Sequence, residues 1–389
     1  MILQRMQEEL SSLRKKHNFR ILPSIHHEGR VIQLEGRQML NLSSNDYLGL
    51  ATDRDLREEF LATLTPEHFL PSSSSSRLLT GNYEACEELE NRLTKLYGTE
   101  SALVFSSGYH ANTGILPAIA DSKTLILADK WVHASIIDGI RLSSASCIRY
   151  RHNHYEQLER LLKENSSRYE TVIIVTESIF SMDGDEADLS RIVSLKEHYP
   201  NLLLYVDEAH AVGVRGAQGL GCAEEQGCVD KIDILIGTFG KAFASVGAFV
   251  VCRDIVKNYL VNRMRTLIFT TALPPVTLRW TSFILNRITD FSQRREHLNH
   301  ISTKLREALL AKGYPCTSTS HIIPLQTGDS GLAIDQANEL QRKGFYALPV
   351  RPPTVPEGTS RIRFSLTANL HEDEVGNLIA CLGIYSPHP

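Results

Sequence analysis

Two charged residues in apolar or small-residue surroundings are the first candidates for chemistry in this chain. Lys241 lies in the segment GTFGKAFASVGAFV, and Asp207 follows the apolar run LLLYV. A lysine amine that is partly withdrawn from water becomes nucleophilic and forms Schiff bases with aldehydes. A carboxylate that pairs with a pyridinium nitrogen lets pyridoxal phosphate act as an electron acceptor. Together, Lys241 and Asp207 indicate a pyridoxal-phosphate site anchored on the lysine.

Groups suited to the rest of this cofactor occur elsewhere in the chain. The segment SSGYHANTG begins a predicted helix, and backbone N–H groups at a helix start bind phosphate. Thr238, three residues before Lys241, can add a hydroxyl group to the same phosphate. His133 can stack on an aromatic ring, and His210 can bond to its phenolic oxygen.

Two nucleotide-binding alternatives fail on their own motifs. The pair Asp207–Glu208 after a buried strand is typical of magnesium sites in nucleotide-hydrolysing enzymes, but these need a GxxxxGK[ST] loop. In the nearest candidate, Leu235 occupies the first glycine position and Ala242 follows the lysine. No GxGxxG follows a predicted strand, so a dinucleotide site has no motif either.

Several signals also have ordinary structural explanations. A lone lysine after a strand usually faces solvent, and a lone histidine among 15 is usually structural. The serine run at positions 72–76 is typical of a flexible loop. RHNH (Arg151–His154) has no carboxylate or cysteine cluster beside it and is predicted to be a surface segment, without a metal. Cys222 and Cys228 are predicted to be inert.

The elements that must position the candidates are short apolar runs that alternate with helical patterns. The runs are SALVF, KTLILAD, TVIIVTES, NLLLYVDEAH, DILIGTFG and GAFVVC. They are typical of strands buried on both faces of a mainly parallel sheet. Ligands of open α/β sheets bind at the carboxyl ends of the strands. One shared site is therefore predicted from the residues that follow the runs: Ser107, Gly108, Asp129, Glu177, Asp207, Glu208 and Thr238 to Lys241.

Chain organisation follows from where this alternation begins and ends. Residues 1–50 are predicted to form an N-terminal helix and a small strand segment. Residues 51–280 are predicted to form a large α/β domain that binds pyridoxal phosphate. Residues 281–389 mix helices and strands and are predicted to form a smaller C-terminal α+β domain.

Composition excludes several partners and compartments. The 389 residues carry 41 basic and 45 acidic side chains without a basic block, which argues against nucleic-acid binding. Seven scattered cysteines without a CxxC pair fit a reducing cytosol. The N-terminal segment is amphipathic, unlike a signal peptide, and no apolar run is long enough to span a membrane. A soluble cytoplasmic protein is expected.

Eight ordered motifs resemble the α-oxoamine synthase family of pyridoxal-phosphate enzymes. They are SNDYLGL, SSGYHANTG, HASIIDG, SMDGD, DEAHAVGVRG, GTFGKAFASVGAFV, RPPTVP and RIRFSLTA, between about residues 40 and 375. The resemblance implies an α/β fold of the fold-type I, aminotransferase-like class and a homodimer with shared active sites. It also implies a decarboxylative condensation of an amino acid with an acyl thioester.

Roles for individual residues follow from the same resemblance. Lys241 would hold the cofactor covalently, Asp207 would pair with its ring nitrogen, His133 would stack on the ring and His210 would contact its phenolic oxygen. The other implied cofactor contacts are Ser107, Gly108, Tyr109, Glu177, Ser181 and Thr238, with Thr270 and Thr271 from the other subunit. The implied substrate contacts are Arg351, which would bind the amino-acid carboxylate, Thr354, Asn45, Ser76, and Arg20 at the far end of the acyl chain.

The resemblance leaves the substrate pair open. Alanine with a pimeloyl thioester, as in biotin biosynthesis, is the preferred pair, whereas glycine with an acetyl thioester or serine with a long-chain acyl thioester are alternatives. A cofactor-free structural or regulatory protein on this fold is a further alternative. The chain departs from the family pattern in its serine loop SSSSSR, at Ser178 and at Phe269, all of which bear on substrate fit.

Overall fold

The computed structural model describes residues 1–385, and the last four residues of the predicted C-terminal domain lie outside the described residues. The chain forms two compact units. The first, called unit 1, contains Met1–Asp53, Ser181–Asp185 and the chain from Arg294 onward. The second, called unit 2, contains Arg54–Phe180 and Glu186–Gln293.

The described strands are β1 His26–Glu28, β2 Val31–Leu34, β3 Arg37–Asn41, β4 Ser101–Phe105, β5 Thr124–Asp129, β6 Ser146–Tyr150, β7 Thr171–Glu177, β8 Leu202–Asp207, β9 Ile234–Thr238, β10 Ala248–Cys252, β11 Ile322–Gly328, β12 Phe345–Tyr346, β13 Pro349–Val350 and β14 Ser360–Ser365.

The described α-helices are α1 Ile2–Lys15, α2 Arg54–Ala62, α3 Glu84–Tyr97, α4 Gly108–Ile119, α5 Ala134–Leu142, α6 Tyr155–Asn165, α7 Leu189–Ser194, α8 Cys222–Glu225, α9 Asp254–Arg263, α10 Arg265–Ile268, α11 Pro275–Leu285, α12 Ser292–Ala311, α13 Ser330–Arg342 and α14 Glu372–Cys381.

Unit 2 is built on a seven-stranded sheet in the order β4-β10-β9-β8-β7-β5-β6. The pairs β6–β5, β5–β7, β7–β8 and β8–β9 are parallel, and β10 runs antiparallel to both β9 and β4. The prediction of a mainly parallel sheet is confirmed. The edge strand β6 carries no long apolar run, because most of its side chains are exposed, and the sequence pattern did not indicate it.

One face of this sheet is covered by helices that bury it in an apolar core. Ile126 and Ala128 of β5 point to this face, as do Ile173 and Val175 of β7. The covering helices include α4 and α5, which contribute Ile115 and other apolar side chains to the same core. Side chains alternate across a strand, so the intervening residues of β5 are buried on the opposite face.

Four parallel strands end at one edge of the sheet and bring polar residues together there. The strands β5, β7, β8 and β9 share one direction, so their carboxyl ends lie at the same edge. The register pairs Glu177 with Asp207, the last residues of β7 and β8. The candidate residues of unit 2 that end strands therefore converge, as an open α/β sheet requires.

Unit 1 contains two small sheets. One has the order β1-β2-β3-β12, in which β12 pairs with β3 in parallel, and its core consists of Ile32, Met39 and Tyr346. The other has the order β11-β14-β13 and is antiparallel. No helix within residues 1–385 is both long enough and apolar enough to cross a membrane.

Candidate active site

Lys241 lies in the turn between β9 and β10. Its Nζ is 2.9 Å from Nε2 of His210, which is buried in the turn after β8. The turn is tight, because the N–H of Ala244 donates to the carbonyl of Lys241 and the N–H of Ser245 donates to that of Phe239. The lysine amine is thus held beside an imidazole at the edge of the sheet, and it is only half-exposed.

The carboxylate of Asp207 is buried and held at both oxygens. The backbone N–H of Ala209 donates to Oδ1 at 2.9 Å, and the Asn112 amide donates to Oδ2 at 2.8 Å. With both oxygens held, the orientation of the carboxylate is fixed before any ligand arrives.

His133 is the N-cap of α5, and the residue is exposed. Its Nδ1 accepts from the N–H of Ser135 at 3.2 Å, and its own backbone N–H donates to Glu177. Desolvation of the imidazole lowers the pKa of His133 below the usual histidine value; the Asp207 carboxylate offsets part of this shift and the Lys241 ammonium adds to it. This shift favours the neutral form of the ring, which suits stacking on an aromatic ligand.

Glu177 is buried between like and unlike charges. Burial raises its pKa well above the usual value and the Asp207 carboxylate raises it further, whereas the Lys241 ammonium and the His133 N–H lower it. Since two adjacent buried carboxylates repel when both are ionised, Glu177 takes up the proton more readily than an exposed glutamate does.

The start of α4 lies next to Thr238. Ser107 caps the helix, its Oγ accepting from the N–H of His110 at 3.1 Å. A methyl group built on Gly108 would lie 3.9 Å from Thr238 Oγ1, so the helix start and this hydroxyl are neighbours. The arrangement offers the donors and the helix dipole that an anion such as phosphate needs. Tyr109, half-exposed, donates its hydroxyl to Asp138.

The serine loop is tied to the segment that carries Thr270 and Thr271. Ser73 Oγ donates to the carbonyl of Ala272 at 2.7 Å, and Ser106 Oγ donates to that of Thr271 at 3.4 Å. The carbonyl of Ser76 accepts from the N–H of Gly81 at 2.9 Å. These contacts lie within one chain; the donation of Thr270 and Thr271 to a second subunit stays a prediction.

Arg20 and Arg351 form a second cluster, in unit 1. Arg20 donates to the Thr354 hydroxyl at 3.0 Å, and Arg351 donates to the carbonyl of His17. Burial lowers the pKa of Arg351, and the guanidinium of Arg20 lowers it further. Two guanidinium groups that repel each other in this way suit an anionic ligand.

Asn45 and Ser181 share one partner in unit 1. Arg363 donates to Asn45 Oδ1 at 3.3 Å and to the carbonyl of Ser181 at 2.6 Å. Asn45 also accepts from the hydroxyl of Tyr47 at 3.2 Å. The structure thus groups the predicted residues into a unit 2 set around Lys241 and Asp207 and a unit 1 set around Arg351 and Asn45.

The prediction that RHNH is a surface segment is wrong for His152. Its Nδ1 is 2.9 Å from an oxygen of the fully buried Asp129, and its ring stacks on Trp131 with centroids 3.9 Å apart. The ring also meets Phe180 edge-on. Asp129 accepts from the N–H groups of Trp131 and Asn153 as well, which makes it a structural residue of the turn that leads to His133.

Sequence reasoning missed three buried polar residues that contact the predicted site. Asn112 is hydrogen-bonded to Asp207, Ser135 and Tyr205. Ser135 is also hydrogen-bonded to His133. The available signal was an asparagine between the small residues and the apolar run of the predicted helix. Its partners come from separate elements, so their proximity is not visible in the local sequence.

The chain matches a known family model and a curated relative over most of its length. Residues 37–382 match the family model "Aminotransferase class I and II". A curated relative from Pasteurella multocida (strain Pm70), named "Putative 8-amino-7-oxononanoate synthase", is 53% identical over 377 residues, which cover 97% of each chain.

Solved structures resemble the chain over nearly its whole length. Serine palmitoyltransferase from S. paucimobilis, with a bound PLP–myriocin aldimine, is 29% identical with a TM-score of 0.89, covering 97% of this chain and 95% of that one. The 8-amino-7-oxononanoate synthase of Francisella tularensis is 28% identical with a TM-score of 0.75, covering 88% and 96%.

Proposed function

The chain belongs to the class I and II aminotransferase family, and from this premise we propose that it is a pyridoxal-phosphate-dependent acyltransferase. The proposed reaction joins L-alanine to a pimeloyl thioester with loss of carbon dioxide and gives 8-amino-7-oxononanoate. The observation that carries the reaction class is the half-buried Lys241 amine beside His210, in the same unit as the fixed Asp207 carboxylate. The substrate pair is supported by the 53% identity to a relative named for that product.

The residues of unit 2 fit pyridoxal phosphate by their chemistry. An amine, a buried carboxylate, a neutral imidazole and a helix start beside a hydroxyl match the aldehyde, ring nitrogen, ring face and phosphate of this cofactor. When bound, pyridoxal phosphate withdraws the electron pair left on the amino acid's α-carbon as its proton departs. We assign the phosphate to Ser107, Gly108, Tyr109 and Thr238, with Thr270 and Thr271 supplied by a second subunit.

Lys241 carries two functions in this proposal. Its amine would hold the cofactor and would take the α-proton of the amino acid as general base. A lysine can do both because burial and neighbouring charges change its protonation, whereas arginine stays protonated. His210, 2.9 Å from Nζ, orients the amine and bonds to the cofactor's phenolic oxygen.

Asp207 and His133 hold the ring from two directions. The fixed Asp207 carboxylate keeps a proton on the ring nitrogen, and the His133 ring stacks on the ring face and excludes water there. Glu177 and Ser181 are assigned to the surroundings of the cofactor.

Substrate recognition is assigned to the residues of unit 1 and the serine loop. Arg351 binds the amino-acid carboxylate bidentately, with Thr354 near it. Arg20 binds the carboxylate at the far end of the acyl chain, which a pimeloyl group has and an acetyl or palmitoyl group lacks. Asn45 of unit 1 and Ser76 of the serine loop are each assigned to substrate contacts.

A serine palmitoyltransferase-like activity is the second candidate, favoured by the TM-score of 0.89 to that enzyme. The two candidates differ in both substrates. A matrix of glycine, alanine and serine against acetyl, pimeloyl and palmitoyl thioesters, scored by thiol release, separates them. Turnover confined to alanine with pimeloyl thioester is expected, and turnover of serine with palmitoyl thioester instead would replace the preferred substrate pair.

The anchor role of Lys241 has its own test. Lys241→Ala is expected to abolish turnover and the characteristic absorbance of the lysine-bound cofactor, because no other amine of the site is assigned to the aldehyde. Normal turnover by Lys241→Ala would refute the proposed mechanism.

Arg351→Lys is expected to raise the Michaelis constant for the amino acid about tenfold with the cofactor absorbance unchanged, since a lysine cannot make the bidentate contact.

We further propose a cytoplasmic homodimer. The seven cysteines are free thiols, which fits a reducing compartment. The dimer is supported by exposed apolar side chains on three segments of unit 2 that hydrogen-bond to one another. These side chains, called the apolar patch, are Phe69, Leu78, Leu79, Val246 and Phe269. The segments are joined by the bonds Ala272 N–H to Ser75, Val276 N–H to Leu70 and Trp280 to Ala244.

A further inference from the structure

Asn112 is a buried amide in the interior of α4. Only 1% of its surface is exposed, and neighbouring buried residues of the helix, such as Ala111 and Ile115, are small or apolar. Burial of an amide is costly unless each of its polar atoms has a hydrogen-bond partner. The contacts of Asn112 therefore decide what the residue does.

Each polar atom of the Asn112 side chain has a buried partner. Oδ1 accepts from the hydroxyl of Tyr205 at 2.6 Å. Nδ2 donates to Asp207 Oδ2 at 2.8 Å and to Ser135 Oγ at 2.9 Å. A carboxylate only accepts, so the NH₂ group must face Asp207 and the amide has one favourable orientation.

The second Nδ2 contact continues to His133. Ser135 Oγ accepts from Asn112, so its own proton is available for His133 Nδ1, 2.8 Å away. The backbone N–H of Ser135 donates to the same nitrogen at 3.2 Å. Two donors on Nδ1 place the proton of the neutral ring on Nε2 and fix the ring's orientation.

Close packing of α5 against α4 supports this geometry. Gly139 of α5 faces the backbone of α4, and a methyl group built there would overlap the carbonyl of Asn112. Glycine therefore permits the short distance between the helices that brings Ser135 to the Asn112 amide.

We propose that Asn112 is a positioning residue that couples Asp207 to His133, holding both in the orientation that pyridoxal phosphate requires. The proposal rests on the proposed function. One amide fixes the carboxylate assigned to the ring nitrogen and, through Ser135, the imidazole assigned to the ring face. Loss of the amide would loosen two proposed cofactor contacts at once, although Asn112 itself is assigned to neither cofactor nor substrate.

Cofactor affinity of the apo-enzyme tests this role without relying on turnover. Asn112→Leu keeps the branched shape and the number of side-chain heavy atoms but removes both N–H donors and the Oδ1 acceptor. We expect the dissociation constant of pyridoxal phosphate, measured by absorbance titration, to rise about tenfold or more, as for loss of a hydrogen bond to a charged group. In the reconstituted enzyme, kcat should fall by a similar factor while the KM for the amino acid changes less than about threefold.

A matched control separates positioning from loss of stability. Asn165 is also a buried asparagine of unit 2, and its amide donates to the carbonyl of Leu161 at 2.8 Å. Asn165→Leu should lower the melting temperature as Asn112→Leu does but leave the cofactor dissociation constant within about twofold.

Milder variants keep the test valid if Asn112→Leu does not fold. Tyr205→Phe removes one hydroxyl and should raise the dissociation constant about threefold, because the amide loses its orienting donor. Ser135→Ala removes the hydroxyl that links Asn112 to His133 and should give a similar increase, while the bond from Asn112 to Asp207 remains.

The outcomes distinguish the two proposals. If Asn112→Leu binds pyridoxal phosphate as tightly as the wild type does, the coupling role is overturned and the proposed function stays intact. Wild-type affinity of both milder variants would have the same meaning. A wild-type chain that does not bind pyridoxal phosphate would overturn both.

Discussion

Glu208 is the residue whose protonation contributes most clearly to a pH-dependent stability. Burial raises its pKa from 4.5 to about 7, although the Ser178 hydroxyl and the N–H groups of Ala223 and Cys222 donate to it and lower the shift. The folded state then binds the proton more tightly than the unfolded state does. The stability from this group is present below about pH 4.5 and is lost as the pH rises to about 7.

The expected result is a difference between the wild type and Glu208→Gln that depends on pH. The free energy of unfolding of the wild type, relative to the variant, should fall by about 3 kcal/mol between pH 4.5 and 8. Urea denaturation across this range measures it, with Glu170→Gln at an exposed ion pair as the control. A pH-independent difference would show that Glu208 does not titrate in this range.

Ser178 is one of the residues at which the sequence is predicted to depart from the α-oxoamine synthase pattern, and it contacts Glu208. Ser178 Oγ donates to Glu208 Oε2 at 2.5 Å. Ser178→Gly should therefore raise the pKa of Glu208 further and shift the pH at which stability is lost upward. The same urea series on this variant checks the direction.

Single residues were predictable from sequence where their type and neighbours carry the signal. Lys241 among glycines and Asp207 after an apolar run stand out locally. Asn112 does not, because its role depends on partners in β8 and α5 that only the fold brings to it. The burial of His152 was missed for the same reason, since its partner Asp129 ends a different element.

At the scale of elements, the serine loop and α3 are joined by a buried ion pair. Arg77, which follows the loop, donates to Glu90 of α3 at 2.6 Å, and Lys257 donates to the same carboxylate at 3.0 Å. Glu90→Gln should lower the free energy of unfolding by about 3–5 kcal/mol, because it leaves buried positive charge without compensation. Glu87→Gln, on the exposed side of the same helix, should change it by less than about 0.5 kcal/mol.

Urea denaturation of both variants measures this contribution. Equal stabilities of Glu90→Gln and Glu87→Gln would mean that the ion pair does not hold the loop. The loop's sequence alone suggested flexibility; its anchoring arises from Arg77 and from Ser73, which bonds to Ala272.

Gly237 of β9 pairs with Phe249 of β10. A methyl group built on Gly237 would overlap the Phe249 ring. Gly237→Ala should therefore cost about 1–3 kcal/mol, and less in a Phe249→Leu background. Gly376→Ala in α14 is the control, because a methyl group there meets nothing within 4 Å. Thermal unfolding of the wild type, of Gly237→Ala, of Phe249→Leu and of the double variant gives the cycle. An equal cost of Gly237→Ala in both backgrounds would contradict the steric explanation.

The whole molecule contains pairings that a local pattern does not encode. The buried strands β5, β7, β8, β9 and β10 were predictable because apolar runs of strand length recur between helical patterns. The parallel pairing of β3 with β12 was not, since these strands come from opposite ends of the chain and β12 has only two residues. Unit 1 likewise combines three segments that are far apart in the sequence, so a local pattern does not indicate it.

The apolar patch gives the proposed homodimer its test. Leu79 is 79% exposed in the single chain, and burying it against a second copy would stabilise the dimer. Leu79→Glu removes this apolar contact and places a charge in the interface, where its burial is costly. The dimer dissociation constant should therefore rise about 100-fold or more. Sedimentation velocity over a concentration series measures it, with Leu310→Glu on α12, where the leucine is 54% exposed, as the control.

Dissociation should also weaken the cofactor site if a second subunit supplies Thr270 and Thr271. At concentrations where Leu79→Glu is monomeric, its affinity for pyridoxal phosphate should fall, and it should recover at concentrations that restore the dimer. Leu310→Glu should keep both the dimer and the affinity. A monomeric wild type would contradict the dimer, whereas a monomeric Leu79→Glu with wild-type cofactor affinity would show that each chain completes its own phosphate site.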